Sequence, residues 1–399
     1  MFIGGFYSLD IETMLKTQQT VENADECKEK YGFRLMCDVE NNYNQRIYTN
    51  NGRTASVYAF NHCREKMKGK KVLLPDYLCL SVISALKAAE AEYDFYHINK
   101  DLTINIDSME KAITQDTGMI YFIHYFSVPQ SKAVTDKIKA LAKTHSLLIM
   151  EDITQALFSR DKERMGFGDY IVGSTRKWYP MTDGGIVAVR NGLDGKSLPL
   201  MQPYDESVYK ELLISSLRAY YDTHSDAMKQ LYLDREAEAN AGRYKDLTPR
   251  EMTDESKYIF FGTDTAGLMA RRCENYSYLY DRLKSLPEIT IASSEQAGNG
   301  EYVPFGFTLL AKDRKDRDRM YGYLVDNGII PEIQWKLPVE YYAPGKAAME
   351  LSERNLMIQC DQRYCIRDMA YVCEKVEEYC RTKKRLRPEA ESRFSRSRC

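Results

Sequence analysis

The chain lacks a long hydrophobic run. None of its 399 residues lies in a stretch approaching the roughly 20 apolar positions that a membrane-spanning helix needs. The segment that opens at Met1 has no basic region followed by an apolar one, so no secretory leader is expected. There is no Cys-x-x-Cys pair. The 10 cysteines are scattered and the 5 histidines show no ligand spacing with them, which argues against a metal centre and for reduced thiols in a cytoplasmic protein. Charge of one sign is also missing. A formal net charge of -2 gives no electrostatic case for nucleic acid or an anionic membrane surface as partner. What remains is an ordinary globular composition, 44% hydrophobic and 29% charged, in a chain long enough to bury a core without staples.

Between residues 50 and 190 the hydrophobic period switches repeatedly. Thr54 to Lys68 carries apolar residues at helical spacing, and Val72-Leu73-Leu74, stopped by Pro75, reads as a buried strand. Leu80 to Ala91 is alanine-rich and helical, and Tyr93 to Ile98 alternates as a strand. Met119 to His124 is another strand, and Val134, Ile138 and Leu141 mark the core face of a helix. Leu147 to Met150 is a buried strand ending at Glu151-Asp152. Gly168 to Ser174 and Gly185 to Val189 are two more.

Strands alternating with helices imply a mostly parallel sheet, the α/β class in three layers, with a ligand outside the carboxyl ends of the strands. The turns after Leu74, His124 and Met150 should therefore converge. Residues 203–283 read as helical. Leu286 to Leu310 reads as strands, and Arg314 to Asn327 and Asp368 to Cys380 as helices, giving a smaller α+β unit. The expected division is 1–200 for an N-terminal segment and the large domain, 201–285 for a helical connection, 286–380 for the small domain and 381–399 for a basic, flexible tail.

Three places carry candidate chemistry. Asp152 follows a buried strand. Taken alone it is equally a helix cap. Its functional reading is a carboxylate that keeps a ring nitrogen protonated, with Gln155 three residues on and able to reach a ring substituent. Lys177 sits in Gly173-Ser174-Thr175-Arg176-Lys177-Trp178, before the turn Asp183-Gly184-Gly185. A lysine after a strand is usually a surface residue, but one aimed into a partly apolar cleft can form a Schiff base with an aldehyde. Ser174 could donate its hydroxyl to a phosphate. Asn51-Gly52-Arg53-Thr54 opens a helix, whose positive end suits a phosphate and equally reads as a simple cap. Arg53 either makes an internal salt bridge or faces substrate.

In that order, these residues resemble the DegT/DnrJ/StrS family of aminotransferases, within the fold type I pyridoxal-phosphate enzymes. Glu151-Asp-Ile-Thr-Gln-Ala156 is similar to the family's Glu-Asp-x-x-Gln-Ala segment, and Gly168 through Ser174, Lys177 and Gly184-Gly185 to its lysine loop. Gly52-Arg-Thr-Ala55 is similar to its phosphate-binding helix start, His124-Tyr-Phe-Ser127 to its His-x-x-Gly turn, and Leu351 to Arg354 with Ile358 to its C-terminal segment.

The resemblance implies that Lys177 carries pyridoxal 5'-phosphate, that Asp152 faces its pyridine nitrogen and that Gln155 approaches its ring hydroxyl. It implies that Ser174 and the amides near Gly52 and Thr54 hold the phosphate. It implies that the residue stacked on the ring comes from the turn Pro75 to Cys79, as Cys79 or Tyr77. It further implies an amino acid donor such as glutamate, a keto acceptor, typically a nucleotide-linked keto sugar, and a homodimer.

Departures fall on the substrate side. Ser127 stands where the family has glycine, Gly262 to Thr265 replaces a Gly-Tyr-Asn-x-Arg segment, and Leu337 to Glu340 replaces a Pro-x-His turn. Amination of a ketone that is not nucleotide-linked, and a non-catalytic binding protein on the same scaffold, therefore stand beside the main reading. A dehydratase, in which histidine replaces the lysine, does not suit Lys177.

Overall fold

The computed structural model describes residues 3–4, 36–38, 40–181, 183–203, 246–293 and 296–394, with only the helical backbone given beyond 382. Strand β1 is Ile3–Gly4. The large unit follows as β2 (Gln45–Thr49), α1 (Gly52–His62), β3 (Lys71–Pro75), α2 (Leu80–Ala88), β4 (Glu92–Tyr96) and α3 (Ile106–Ala112). It continues with β5 (Thr117–Ile123), α4 (Lys132–His145), β6 (Leu148–Asp152), β7 (Tyr170–Gly173) and β8 (Gly185–Val189). Seven strands make one sheet in the order β2-β8-β7-β6-β5-β3-β4. From β7 through β4 all pairs are parallel, and at the far end β8 runs antiparallel to both of its neighbours, β7 and β2. Successive residues of β7 and β8 are buried, so helices and loops cover both faces. This is why these strands read as continuous apolar runs rather than as alternation. The expected α/β architecture with a mostly parallel sheet is present.

Helix α1 starts where its sequence tells it to. The Asn51 side chain accepts from the N–H groups of Arg53 and Thr54, and the Thr54 hydroxyl accepts from the Asn51 N–H, a closed capping box. It ends at His62, earlier than the periodicity to Lys68 suggests.

The C-terminal unit contains α5 (Asp254–Gly262), α6 (Thr265–Leu283), β9 (Thr290–Ile291), β10 (Phe307–Leu310), α7 (Arg314–Asp326) and β11 (Ile329–Ile330). It ends with α8 (Lys346–Arg354), β12 (Asn355–Ile358) and α9 (Ile366–Phe394). A three-stranded sheet, β12-β10-β9, packs with α6, α7 and α9 around Leu279, Phe307, Met320, Leu356 and Val372. The helical reading of 203–283 holds for α5 and α6, and the segment 204–245 lies outside the described residues.

Two features differ from expectation. Ile3–Gly4 pairs in parallel with Ile329–Ile330, and the Gly4 N–H donates to the Tyr364 hydroxyl at 2.8 Å, so the start of the chain joins the C-terminal unit. A two-residue strand is too short to carry a readable period. Second, α9 runs to Phe394, so the basic tail expected to be flexible from Arg381 opens as helix. The arginines, lysines and leucine ahead of Pro388 are good helix formers, which tail composition alone obscures.

The two units are stitched at Ser127. Its φ of 75° is the left-handed conformation that glycine adopts freely, and Phe126 before it has φ 50°. The serine hydroxyl offsets this backbone cost. It donates to the Gln155 carbonyl at 2.7 Å and accepts from the Phe305 N–H at 2.7 Å, tying the turn after β5 to the segment that leads into β10. Ser127 therefore keeps the glycine-like turn and adds a link that glycine could not make.

Candidate active site

The carboxyl edge of the parallel strands gathers the candidate residues. Asp152 is the last residue of β6, and its partner across the ladder is Val172 of β7, two residues before Ser174. A one-turn 3-10 segment, Thr175–Lys177, follows directly. The turns after β6 and β7 are joined by side chains. The Thr154 N–H donates to Asp152 Oδ1 at 2.7 Å, and the Thr154 carbonyl accepts from Trp178 Nε1, the neighbour of Lys177, at 2.9 Å. Asp152 is buried. Lys177 is half-buried and makes no hydrogen bond or ion pair among the described residues.

The start of α1 meets the same edge. A Cβ placed on Gly52 would stand 2.9 Å from the Ser174 Cβ, so only glycine lets the helix end approach Ser174 this closely. Gly184-Gly185 closes the other side, since a Cβ on Gly185 would fall 2.3 Å from the Asn51 carbonyl. The amides of Arg53 and Thr54 already donate to Asn51. The helix therefore offers an anion its positive dipole end beside the Ser174 hydroxyl more than a set of free N–H groups. Arg53 is half-buried in the first turn of α1.

Gln155 and Tyr77 are more constrained than their sequence positions suggest. Gln155 Oε1 accepts from the Phe126 N–H at 3.0 Å, and its Nε2 donates to Gln334 Oε1 at 3.1 Å. Tyr77 is fully buried; its hydroxyl donates to the Gln334 carbonyl, and its ring packs on Tyr125 and Trp335. Cys79 is the N-cap of α2 and half-buried, and its sulfur accepts from the Ser81 N–H at 3.5 Å. Of the two residues left open for the ring face, Tyr77 is engaged elsewhere and Cys79 is at the edge.

Three further residues belong to the constellation. Tyr121 of β5 donates its hydroxyl to Asp152 Oδ2 at 2.5 Å. The signal for it was a polar-tipped ring inside the otherwise apolar run Met-Ile-Tyr-Phe-Ile. Glu151 and His124 are fully buried behind Asp152 and pair at 2.9 Å. Glu151 also accepts from the N–H groups of Gly166, Phe167 and Gly168, which fixes the loop between β6 and β7. Burial works against the Glu151 charge, but His124 and the Gly166 and Gly168 amides outweigh it and hold the carboxyl below its ordinary range.

Asp183, in the glycine turn, goes the other way. Burial pushes it up to about 6, although Ser256 and Thr253 donate to it and pull against that rise. Its oxygens accept from the Thr253 N–H at 3.0 Å and the Thr253 hydroxyl at 2.9 Å. A folded value above the ordinary one means the fold favours the protonated form. The associated stability is fully present below about pH 4 and is lost as pH rises through about 6. Asp183→Asn removes this dependence. Relative to the variant, the wild type should lose on the order of 2–3 kcal/mol between pH 4 and 7 in denaturant unfolding. A difference that stays flat across that range contradicts the assignment.

Residues 40–202 match the model of the DegT/DnrJ/EryC1/StrS aminotransferase family. This match spans the seven-stranded sheet, and it makes the protein an enzyme of the aminotransferase class with pyridoxal phosphate as its cofactor. Solved structures extend the likeness over nearly the whole chain. PseC of Helicobacter pylori, an aminotransferase involved in the biosynthesis of pseudoaminic acid, is 14% identical over 96% of this chain and 100% of its own, with a TM-score of 0.68. DesI, solved with its TDP-sugar product, is 14% identical over 98% of this chain and 97% of its own, at 0.67. DesV of S. venezuelae is 19% identical over 92% and 94%, at 0.64. At such identities the likeness is one of fold.

The residues present suit the cofactor. They supply an amine with no hydrogen bond or ion pair among the described residues, a carboxylate with acceptor capacity left after two hydrogen bonds, and a glycine–serine contact at a helix start. No helix among the described residues is long and apolar enough to cross a membrane.

Proposed function

We propose that this chain moves an amino group from an amino acid donor, glutamate in the first instance, to a keto group on a nucleotide-linked sugar. The observation that carries the proposal is the bridge between the two turns. One hydrogen bond from Trp178 to Thr154 couples the segment bearing Lys177 to the segment bearing Asp152.

In this reading Lys177 holds the cofactor and, once displaced by the donor, is the base that moves the proton at the donor Cα. A well-placed acid–base group contributes about 10²–10⁴-fold. When bound, pyridoxal phosphate supplies a cationic ring that draws electrons away from that carbon. Asp152 accepts the ring N–H and keeps the ring protonated. Ser174 and the start of α1 at Gly52, Arg53 and Thr54 receive the phosphate, and Cys79 lies against the ring face. Gln155 acts through its bonds to Phe126 and Gln334, which leave one amide hydrogen for a ring substituent.

The sugar assignment is supported by the fold shared with DesI and PseC. A homodimer, which light scattering tests, and a cytoplasmic setting complete the proposal. The five cysteines buried among the described residues support the latter.

The test is a half-reaction. Glutamate added to the holoenzyme should convert the visible absorption of the lysine-bound form to that of the aminated form, with one equivalent of 2-oxoglutarate. A nucleotide-linked keto sugar should then reverse it. No spectral change with any amino acid would contradict the transaminase reading, and reversal only by simple keto acids would remove the sugar acceptor.

A further inference from the structure

Tyr121 and Asp152 sit on neighbouring parallel strands, and the register places Ile123 opposite Asp152. Tyr121 precedes Ile123 by two residues, so its side chain leaves the same face of the sheet and leans along the strand toward the carboxylate. It is fully buried. Its backbone is braced from behind, because the Tyr96 hydroxyl donates to the Tyr121 carbonyl at 3.0 Å.

We propose that Tyr121 is a positioning residue for the cofactor: its hydroxyl fixes the plane of the Asp152 carboxylate so that the lone pairs left over face the ring nitrogen. This rests on the reading that Asp152 meets that nitrogen.

An ionised carboxylate offers about four lone-pair sites on two oxygens. Thr154 occupies one on Oδ1 and Tyr121 one on Oδ2. With a donor on each oxygen, the group cannot rotate about its Cβ–Cγ bond without breaking one of them. A single donor would leave it free to swing. The phenol stays a donor throughout, because burial first and the adjacent Asp152 charge second push its own ionisation far up. The bond at 2.5 Å is in the short range expected when a hydroxyl meets a charged oxygen.

The experiment is a double-mutant cycle read by cofactor affinity. Apoprotein of the wild type, Tyr121→Phe, Asp152→Ala and the double variant is titrated with pyridoxal phosphate, and each apoprotein is also melted. Tyr121→Phe keeps the ring and its packing. It should raise the Kd for pyridoxal phosphate roughly tenfold, the scale of one hydrogen bond to a charged group. In the Asp152→Ala background the same change should have no further effect, because there is no carboxylate left to orient.

An equal loss of affinity in both backgrounds would mean that Tyr121 acts on the fold and would overturn the proposal. So would an unchanged Kd in Tyr121→Phe while Asp152→Ala binds weakly. If Asp152→Ala itself binds the cofactor as well as the wild type does, the underlying reading of Asp152 is what has failed. Should Tyr121→Phe not fold, Tyr121→Met fills the same space without a donor and serves in its place.

Discussion

Lys177→Ala is expected to remove the visible absorption band of the cofactor-loaded protein and to take turnover below detection. Two losses coincide. The amine that would bind the cofactor covalently is gone, and so is the base at the donor Cα, whose share alone is worth about 10²–10⁴-fold. Folding should be unaffected, because Lys177 makes no hydrogen bond or ion pair among the described residues and is only half-buried. Cofactor should still bind, held by the phosphate contacts near Gly52 and Ser174. The check is an absorbance spectrum and a steady-state assay on one preparation. A variant with the wild-type band would take Lys177 out of the role.

Asp152→Asn separates binding from chemistry. Asparagine keeps the shape, and its oxygen can still accept from Tyr121 or Thr154. It cannot stabilise a cationic ring nitrogen by charge. The cofactor should therefore load, while proton removal at the donor Cα slows by about 10²–10³-fold, the loss typical when one preorganised charged partner is removed. A primary deuterium isotope effect on the half-reaction with Cα-labelled glutamate should grow as that step becomes limiting. Full activity in this variant would contradict the role assigned to the carboxylate.

Much of the large sheet was legible because its strands are buried on both faces, and continuous apolar runs such as Val72 to Leu74 and Leu147 to Met150 leave few other readings. The candidate site was legible as a grouping where residues are local in sequence: Asp152 and Gln155 share one turn, and Ser174 and Lys177 share the next, and the fold brings these two turns together. What could not be read were contacts that depend on register. Tyr121 meets Asp152 only because β5 and β6 pair with Ile123 opposite Asp152.

Glu151 adjoins Asp152 in sequence, yet it serves a different purpose, pinning the loop at 166–168 from inside the core. The engagement of Tyr77 was hidden because Gln334, which takes its hydroxyl, is distant in sequence. Ser127 looked like a defect in a glycine turn. Its partners, Gln155 and Phe305, show why a serine is held in a left-handed conformation there. The pairing of Ile3 with Ile329 carried no signal, since two residues have no period.

One chemical trap goes to the centre of the account. Borohydride reduces an imine between a lysine and pyridoxal phosphate to a stable secondary amine, and peptide mass mapping then locates the label. The label is predicted on the peptide that contains Lys177 at close to one per chain, and it should be absent after pretreatment with excess glutamate. A label on any other lysine, or none at all in protein that binds the cofactor, would contradict it.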